Sequence, residues 1–183
     1  MLLLRPVECG LLLIETVQKP TSDGFADETY SRSMAAISKA AALAEVPVHR
    51  ALYSVTVETV AQEDGTAPVA APHALSSSLL NWRESPLGLA IAVTERPCII
   101  VAGYWLEEAI TFGVLSALGE GYDTYAMFDV TRTLDASAAS LAQQRLIHAG
   151  AVPTVCGQVV REWAAHITEP QQRQVILDTI ISS

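Results

Sequence analysis

Basic side chains are scarce in this chain. Eleven Lys and Arg residues stand against twenty Asp and Glu residues, the formal net charge is −9, and no run of consecutive basic residues interrupts the acidity. Proteins that bind the phosphate backbone of DNA or RNA need a basic surface. The composition therefore argues against a nucleic-acid partner.

Cysteine is also scarce. Cys9, Cys98 and Cys156 are far apart and form no CxxC pair, so neither a disulfide framework nor a zinc ribbon is indicated. The four histidines share no metal-ligand spacing, and the phosphate-binding patterns GxGxxG and GxxxxGKS or GxxxxGKT do not occur. We therefore expect a reducing compartment, the cytoplasm, and no metal or other cofactor.

Long apolar runs are missing. The run from Cys98 to Ala102 is strand-sized and far shorter than the roughly 20 residues that cross a bilayer. The apolar start, Met1 to Pro6, is too short for a signal-peptide core and has no basic segment before it. We expect a soluble protein with no membrane partner.

What the chain does contain is an alternation of strand and helix patterns. Its 183 residues, half of them apolar, suit one domain. The continuous apolar run Gly10–Ile14 is typical of a strand covered on both faces, and further strands are predicted at Val46–Ser54, Arg96–Gly103, Tyr122–Phe128 and Val152–Val155. Helical spacing occurs at Met34–Ala44, Leu87–Val93, Glu107–Glu120, Ala136–His148 and Val175–Ile180. We predict a single domain over residues 1–183, a three-layer α/β/α sandwich with a mainly parallel sheet of about six strands.

Local signals define several element ends. Ser85 and Asp135 are predicted helix N-caps, and Pro153 predicts that the last strand lies at a sheet edge. Thr168 begins a capping-box pattern, which predicts a C-terminal helix at about 168–183. The apolar face of this helix is used either for docking on its own domain or for assembly, and we favour a homo-oligomer.

The most specific signal is one continuous block. PCIIVAGYWLEEAI, from Pro97 to Ile110, precedes SALGEGYD and DVTRT. It resembles the isochorismatase-like (cysteine hydrolase) superfamily, in particular its smaller bacterial hydrolases. That family has a strand ending in Ala-Gly, a turn Val-x-Thr-Glu-x-Cys-Val, a helix ending in Gly-Tyr, a strand, and then Asp-Ala-x-x-Thr. The residues that match in register are Gly103, Glu107, Gly121, Tyr122, Asp129 and Thr133.

Two weaker patterns extend the resemblance from about Leu11 to Trp163. The opening strand LLLIETVQ resembles the family's apolar strand ending in Asp-x-Gln, and Trp82 lies where the family often has Asn-Ala-Trp. The resemblance implies an active site with a cysteine thiolate as nucleophile, an aspartate that moves protons and a lysine that lowers the pKa of the thiol. It also implies oligomeric assembly.

The residues at all three implied catalytic positions differ from the family's. Gly103 and Glu107 set a register that puts Ala109 at the nucleophile position, and a methyl group cannot attack a substrate. Leu75, or one of the serines at 76–78, takes the place of the lysine, and Glu15 or Thr16 that of the aspartate. We therefore predict a catalytically inactive homologue that acts in ligand binding or assembly.

The predicted binding site and the alternative function both include Glu15. The site residues expected from the resemblance are Glu15, Leu75, Trp82, Tyr104, Trp105, Leu106 and Ala109. The alternative is a hydrolase of a small amide or ester that uses Glu15 with water or a relocated nucleophile. Packing is the expected role of Cys9, Cys98 and Cys156, and Cys156, just past the last strand, is the better substitute nucleophile.

Overall fold

The fold is known from a computed structural model, which describes residues 3–16, 24–53, 73–74 and 82–181. Its strands are β1 Cys9–Thr16, β2 Val48–Tyr53, β3 His73–Ala74, β4 Cys98–Gly103, β5 Asp123–Thr131 and β6 Val152–Thr154. Its helices are α1 Gly24–Leu43, α2 Pro86–Ala92, α3 Thr111–Gly119, α4 Ala136–His148, α5 Cys156–Ala165 and α6 Pro170–Ile181. Leu75, the serines at 76–78 and Asn81 lie outside the described residues.

The strands form one sheet in the order β3-β2-β1-β4-β5-β6. Every described strand pair is parallel. Five strands have three or more residues, and β3 adds a two-residue pairing at one edge. The predicted α/β class with a parallel sheet is thus confirmed, with five full strands where about six were predicted.

Helices cover both faces of the sheet, as the continuous apolar strands require. One core cluster joins the sheet to α1, α5 and α6, and we call this side the α1 face. The other joins the sheet to α2, α3 and α4, the α3 face. Along β1 the side chains alternate, so that Leu11 and Leu13 point to the α1 face and Leu12 and Ile14 to the α3 face.

The predicted caps and the predicted edge strand are present. The Ser85 hydroxyl accepts a hydrogen bond from the Gly88 amide at 2.9 Å. The Asp135 carboxylate accepts one from the Ser137 amide at 2.8 Å. β6, which contains Pro153, lies at the sheet edge beside β5.

Two helical segments differ from the prediction. α5 was not predicted, although its buried Val159, Val160, Trp163 and Ala164 follow helical spacing. The helix predicted at Glu107–Glu120 begins instead with a π-helical turn, Leu106–Ile110, before α3. The π turn arises because the Ile110 amide donates to the Trp105 carbonyl, five residues back, at 3.0 Å.

The C-terminal helix docks on its own domain. α6 packs against α1 and α5, with Ile176 and Thr179 buried on that side. Val175 and Ile181 stay exposed on the same helix. Among the described residues, no helix is both long enough and apolar enough to span a membrane.

Candidate functional site

The candidate site lies where the carboxyl ends of β1 and β4 meet. β1 and β4 are neighbours at the centre of the sheet. From β1 the chain continues to β2 and β3 on one side, and from β4 it continues to β5 and β6 on the other side. In open parallel sheets this switch point leaves a crevice outside the strand ends, where ligands bind. Of the residues that the sequence singled out, Glu15 is the second-last residue of β1, and the segment from Tyr104 to Ala109 follows the end of β4.

Gly103 allows the chain to leave β4 tightly against β1. Its φ is +134°, and a Cβ built on it would lie 2.0 Å from the Ile14 carbonyl oxygen. The next amide, of Tyr104, donates to that same oxygen at 2.9 Å. Only glycine fits at this position, which explains why β4 ends in Ala-Gly in this chain.

The turn after Gly103 holds Trp105 in the left-handed region, at φ +65°. A non-glycine residue rarely adopts this conformation and needs support from its surroundings. The support comes from both ends: the Trp105 indole N–H donates to the Thr16 hydroxyl at 3.1 Å, and its carbonyl accepts from the Glu108 amide at 3.1 Å. The turn is therefore anchored to the end of β1.

Glu107 and Glu108 link this turn to neighbouring elements. The Glu107 carboxylate accepts from the amides of Leu134 and Asp135 at 2.9 and 3.2 Å, which holds the segment before α4. The Glu108 carboxylate accepts from the Tyr53 hydroxyl, at the end of β2, at 2.9 Å. Burial and this hydrogen bond raise the pKa of Tyr53 to about 12. These cross-links were not anticipated, because sequence spacing does not reveal partners on other strands.

Four of the expected site residues are packed into the α3 face. Ala109 and Leu106 are 0% and 1% exposed, and Trp105 and Trp82 are 5% and 6% exposed. All four belong to one apolar cluster, which also includes Leu12 and Ile14 of β1. Ala109 thus presents its methyl group to hydrocarbon.

Glu15 and Tyr104 line a cavity on the α1 face. The cavity has a volume of about 490 Å³ and lies between the ends of β1 and β2 and the side of α1. The Arg50 guanidinium, from β2, forms an ion pair with the Glu15 carboxylate. Both side chains are partly exposed, at 40% and 37%, and they form the charged part of a mostly apolar wall that also includes Met34.

Glu15 and Thr16, the two candidates for the aspartate position, point to opposite faces of the sheet. Glu15, two residues after Leu13, shares the α1 face, whereas Thr16, two residues after Ile14, shares the α3 face with Ala109. The hydrogen bond from Trp105 to the Thr16 hydroxyl agrees with this assignment. Thr16 is therefore the residue of β1 that contacts the Ala109 side, through Trp105, and it also lines the cavity that Glu15 faces.

Aromatic rings close one end of the Glu15 cavity. The Tyr30 and Tyr104 rings have centroids 4.9 Å apart, and the Arg132 guanidinium carbon lies 5.1 Å from the Tyr30 ring centroid. Burial, and then the neighbouring Tyr104, raise the pKa of Tyr30. Tyr30 therefore remains a neutral hydrogen-bonding group beside the cavity at physiological pH. Neither Tyr30 nor Arg50 was singled out in the sequence, although a basic residue inside an apolar strand was a usable signal for Arg50.

Cys156 lies in a separate place. It begins α5 and lines a second cavity of about 250 Å³ with Asp129 and Arg161; none of its lining residues is shared with the Glu15 cavity. The Asp129 carboxylate accepts from the Cys156 amide at 2.9 Å. Burial, with a contribution from the Asp129 charge, raises the pKa of the Cys156 thiol to about 12. In the described part of the chain, no three His, Cys, Asp or Glu side chains are grouped to hold a metal.

Comparison with solved structures establishes the fold type. YcaC from Pseudomonas aeruginosa, with hexane-2,5-diol and covalent acrylamide, matches 97% of this chain and 91% of its own at a TM-score of 0.70 and 19% identity. The YcaC gene product from Escherichia coli, an octameric hydrolase of unknown specificity, matches 100% of this chain and 98% of its own chain, with a TM-score of 0.65 and 19% identity. An isochorismatase from Pseudomonas putida KT2440 matches 85% of this chain and 92% of its own chain, with a TM-score of 0.62 and 15% identity.

No protein-family model matches the chain, and no curated protein matches its sequence. At these identities the similar structures show the fold and nothing about the chemistry. The fold expected from the resemblance, that of the isochorismatase-like hydrolases, is confirmed.

Proposed function

We propose that this chain is a member of the isochorismatase-like superfamily that binds a small molecule and does not carry out the superfamily's covalent hydrolysis. The observation that carries the proposal is Ala109. It stands where the resemblance implies the nucleophile, and its methyl group is fully buried among apolar side chains. Covalent catalysis requires an activated nucleophile at that point, and a hydrocarbon side chain supplies none.

The thiols elsewhere are poor substitutes. A cysteine attacks as its thiolate, so a thiol with a raised pKa is inert near neutral pH. Burial and Asp129 raise the pKa of Cys156 to about 12, and its cavity shares no lining residue with that of Glu15. Cys9 and Cys98 begin β1 and β4, at the end of the sheet opposite the candidate site.

The proposed ligand site is the Glu15 cavity. A volume of about 490 Å³ is within the range of small-molecule pockets, which are mostly apolar with a few placed polar groups. Its walls fit that description, because Leu13 and Met34 are apolar while Glu15 and Arg50 offer an acceptor and a donor. The ligand class that suits them is a small, largely apolar molecule with one polar end.

The test combines ligand binding with an activity assay. The full-length protein is screened by thermal shift against small amides, esters, carboxylic acids and amines, and the same compounds are assayed for hydrolysis. We expect some compounds to raise the Tm and none to be hydrolysed above the uncatalysed rate. In Glu15→Gln the Tm shift should fall at least about threefold, since a charge-assisted contact is lost. Glu28→Gln, which removes the exposed Glu28–Arg32 ion pair, is the matched control and should bind as the parent does.

The alternative is a hydrolase of a small amide or ester that uses Glu15 with water. The observation that favours it is a carboxylate exposed to a cavity at the switch point of the sheet. Turnover that disappears in Glu15→Gln but persists in Cys156→Ala would establish this alternative and refute the binding proposal. Turnover lost in Cys156→Ala would instead identify a relocated thiol.

We further propose a homo-oligomer in the cytoplasm. The E. coli YcaC gene product is octameric, and the C-terminal helix, predicted at about 168–183 and described as α6, Pro170–Ile181, leaves Val175 and Ile181 exposed after docking on its own domain. The described cysteines are all free thiols, which suits a reducing compartment. Sedimentation velocity should give one species larger than a monomer, and Val175→Asp with Ile181→Asp should shift it toward the monomer. A monomeric parent protein at micromolar concentration would refute the assembly proposal.

A further inference from the structure

The amino ends of β1 and β4 carry two cysteines in register. Cys9 and Cys98 are directly paired across the two central parallel strands. Both side chains belong to the core cluster of the α1 face, so they project to the same side of the sheet. This place is at the opposite end of β1 from Glu15, and nothing in the proposed function uses it.

The separation of paired strands suits a disulfide. Neighbouring strands lie about 4.8 Å apart, and the Cα atoms of bonded cysteines lie about 4.4 to 6.8 Å apart. Hydrogen bonding by the neighbouring Cys98 is the largest cause that lowers the pKa of Cys9. The same contact, with burial, raises the pKa of Cys98, so Cys9 is the more acidic thiol of the pair.

The environment of Cys9 favours a thiolate. Trp163 is fully buried, and its indole nitrogen makes no hydrogen bond of standard geometry with the described residues. The indole nevertheless lies near enough to Cys9 to contribute to lowering the pKa of that thiol. Arg96 lowers this pKa further, whereas burial and Glu8 oppose these effects. A thiolate at Cys9 would give the Trp163 N–H an acceptor.

A cavity lies beside the pair. Cys9 and Cys98 both line a cavity of about 360 Å³, bordered by Pro97, Asp123 and Tyr125. Cys98 is 5% exposed, whereas Cys9, at 0%, has no accessible surface. Oxidation of Cys9 by a molecule the size of peroxide therefore requires a small local opening between this thiol and the cavity.

We propose that Cys9 and Cys98 are a peroxide-oxidisable pair that forms a disulfide between β1 and β4. The Cys9 thiolate attacks one oxygen of hydrogen peroxide, the O–O bond breaks, and hydroxide leaves, which gives a sulfenic acid on Cys9. The Cys98 sulfur then attacks the Cys9 sulfur, an S–S bond forms, and the sulfenic oxygen leaves as water with the Cys98 proton. Two thiols and one peroxide thus yield one disulfide and two waters.

The experiment uses the reduced full-length protein and its third cysteine as an internal reference. The protein is treated with hydrogen peroxide, quenched with catalase, denatured, alkylated with iodoacetamide and mapped by mass spectrometry. We expect Cys9 and Cys98 to become unreactive together at least about tenfold faster than Cys156, whose thiol stays protonated. The Cys9–Cys98 peptide pair should have lost the mass of two hydrogen atoms and should return to free thiols with dithiothreitol.

Variants separate the two steps. Cys98→Ala should accumulate a sulfenic acid on Cys9 that dimedone traps, while Cys9→Ala should leave Cys98 reduced at the same peroxide dose. Cys156→Ala should oxidise as the parent does. The proposal is overturned if Cys9 and Cys98 stay reduced in the folded parent while Cys156 oxidises, or if the only disulfides found join different molecules.

Discussion

The two faces of the sheet differ sharply at the carboxyl ends of β1 and β4. On the α3 face, Trp105, Leu106 and Ala109 are packed with Ile14 into a sealed apolar cluster. On the α1 face, Glu15 and Arg50 face a cavity of about 490 Å³. The ion pair and the open space are therefore together, on the face away from Ala109.

The proposal that Ala109 occupies the nucleophile position accounts for this difference. A thiolate needs space for substrate and polar groups that stabilise its charge. A methyl group needs neither, and apolar packing around Ala109 is the stable arrangement. The α1 face keeps an ion pair that is partly exposed, so its charges retain contact with water and need no dry enclosure.

The largest expected effect concerns Gly103, the residue on which both faces depend. In Gly103→Ala the new Cβ would meet the Ile14 carbonyl oxygen at 2.0 Å at a φ of +134°. We expect the free energy of unfolding in urea to fall by more than about 3 kcal/mol, with loss of the Glu15 cavity. Gly119→Ala is the control, because nothing lies within 4 Å of its Cβ position and its φ is ordinary. It should be neutral or raise stability by up to about 1 kcal/mol. Equal losses in both variants would contradict the tight approach of β4 to β1.

The second prediction compares the faces directly with one substitution. Ala109→Leu adds bulk to the sealed α3 face and should lower the free energy of unfolding by about 1 to 3 kcal/mol. Ala35→Leu adds the same atoms beside the Glu15 cavity, where Ala35 is exposed on α1, and should change stability by less than about 0.5 kcal/mol. Urea denaturation measures both. If the two variants are equally stable, the Ala109 side has room for a ligand and the contrast between the faces fails.

The smallest effect is a pH dependence located on the α1 face. The Cys156 pKa is raised from 9.0 to about 12 by burial, so above pH 9 the folded protein holds a proton that the unfolded chain has released. Stability from this group is complete below pH 9 and is lost as the pH rises toward 12, at most by about 1.4 kcal/mol for each pH unit. Between pH 9 and 10 the parent should lose about 1 kcal/mol more stability than Cys156→Ala. Parallel losses in the two proteins would show that this thiol is not buried as described.

Sequence reasoning was most successful where the signal was local. The buried strands, the caps at Ser85 and Asp135 and the edge position of Pro153 depend on residues close together in the chain, and each is present. It failed at α5, whose apolar spacing was not interpreted as a helix. It also left Arg50 unmentioned, because the reason for a charge in a buried strand is its partner on the adjacent strand.

The expected site was predicted as one group of residues, and the structure separates it. Glu15 and Tyr104 line the cavity, whereas Trp82, Trp105, Leu106 and Ala109 are in the core of the other face. Adjacent residues on a strand point in opposite directions, so the choice between Glu15 and Thr16 depends on where the strand lies in the sheet. A register argument along the chain does not contain that information.

By itself the sequence determined the α/β class, the parallel sheet and the absence of a sulfur at position 109, because strand patterns and residue identities are properties of the chain. Only the tertiary structure decided that Glu15 pairs with Arg50, that Thr16 shares the face of Ala109, and that Cys9 lies beside Cys98. The physical reason is that these relations join residues 35 or more positions apart, and strand pairing and helix packing, not chain connectivity, bring such residues together.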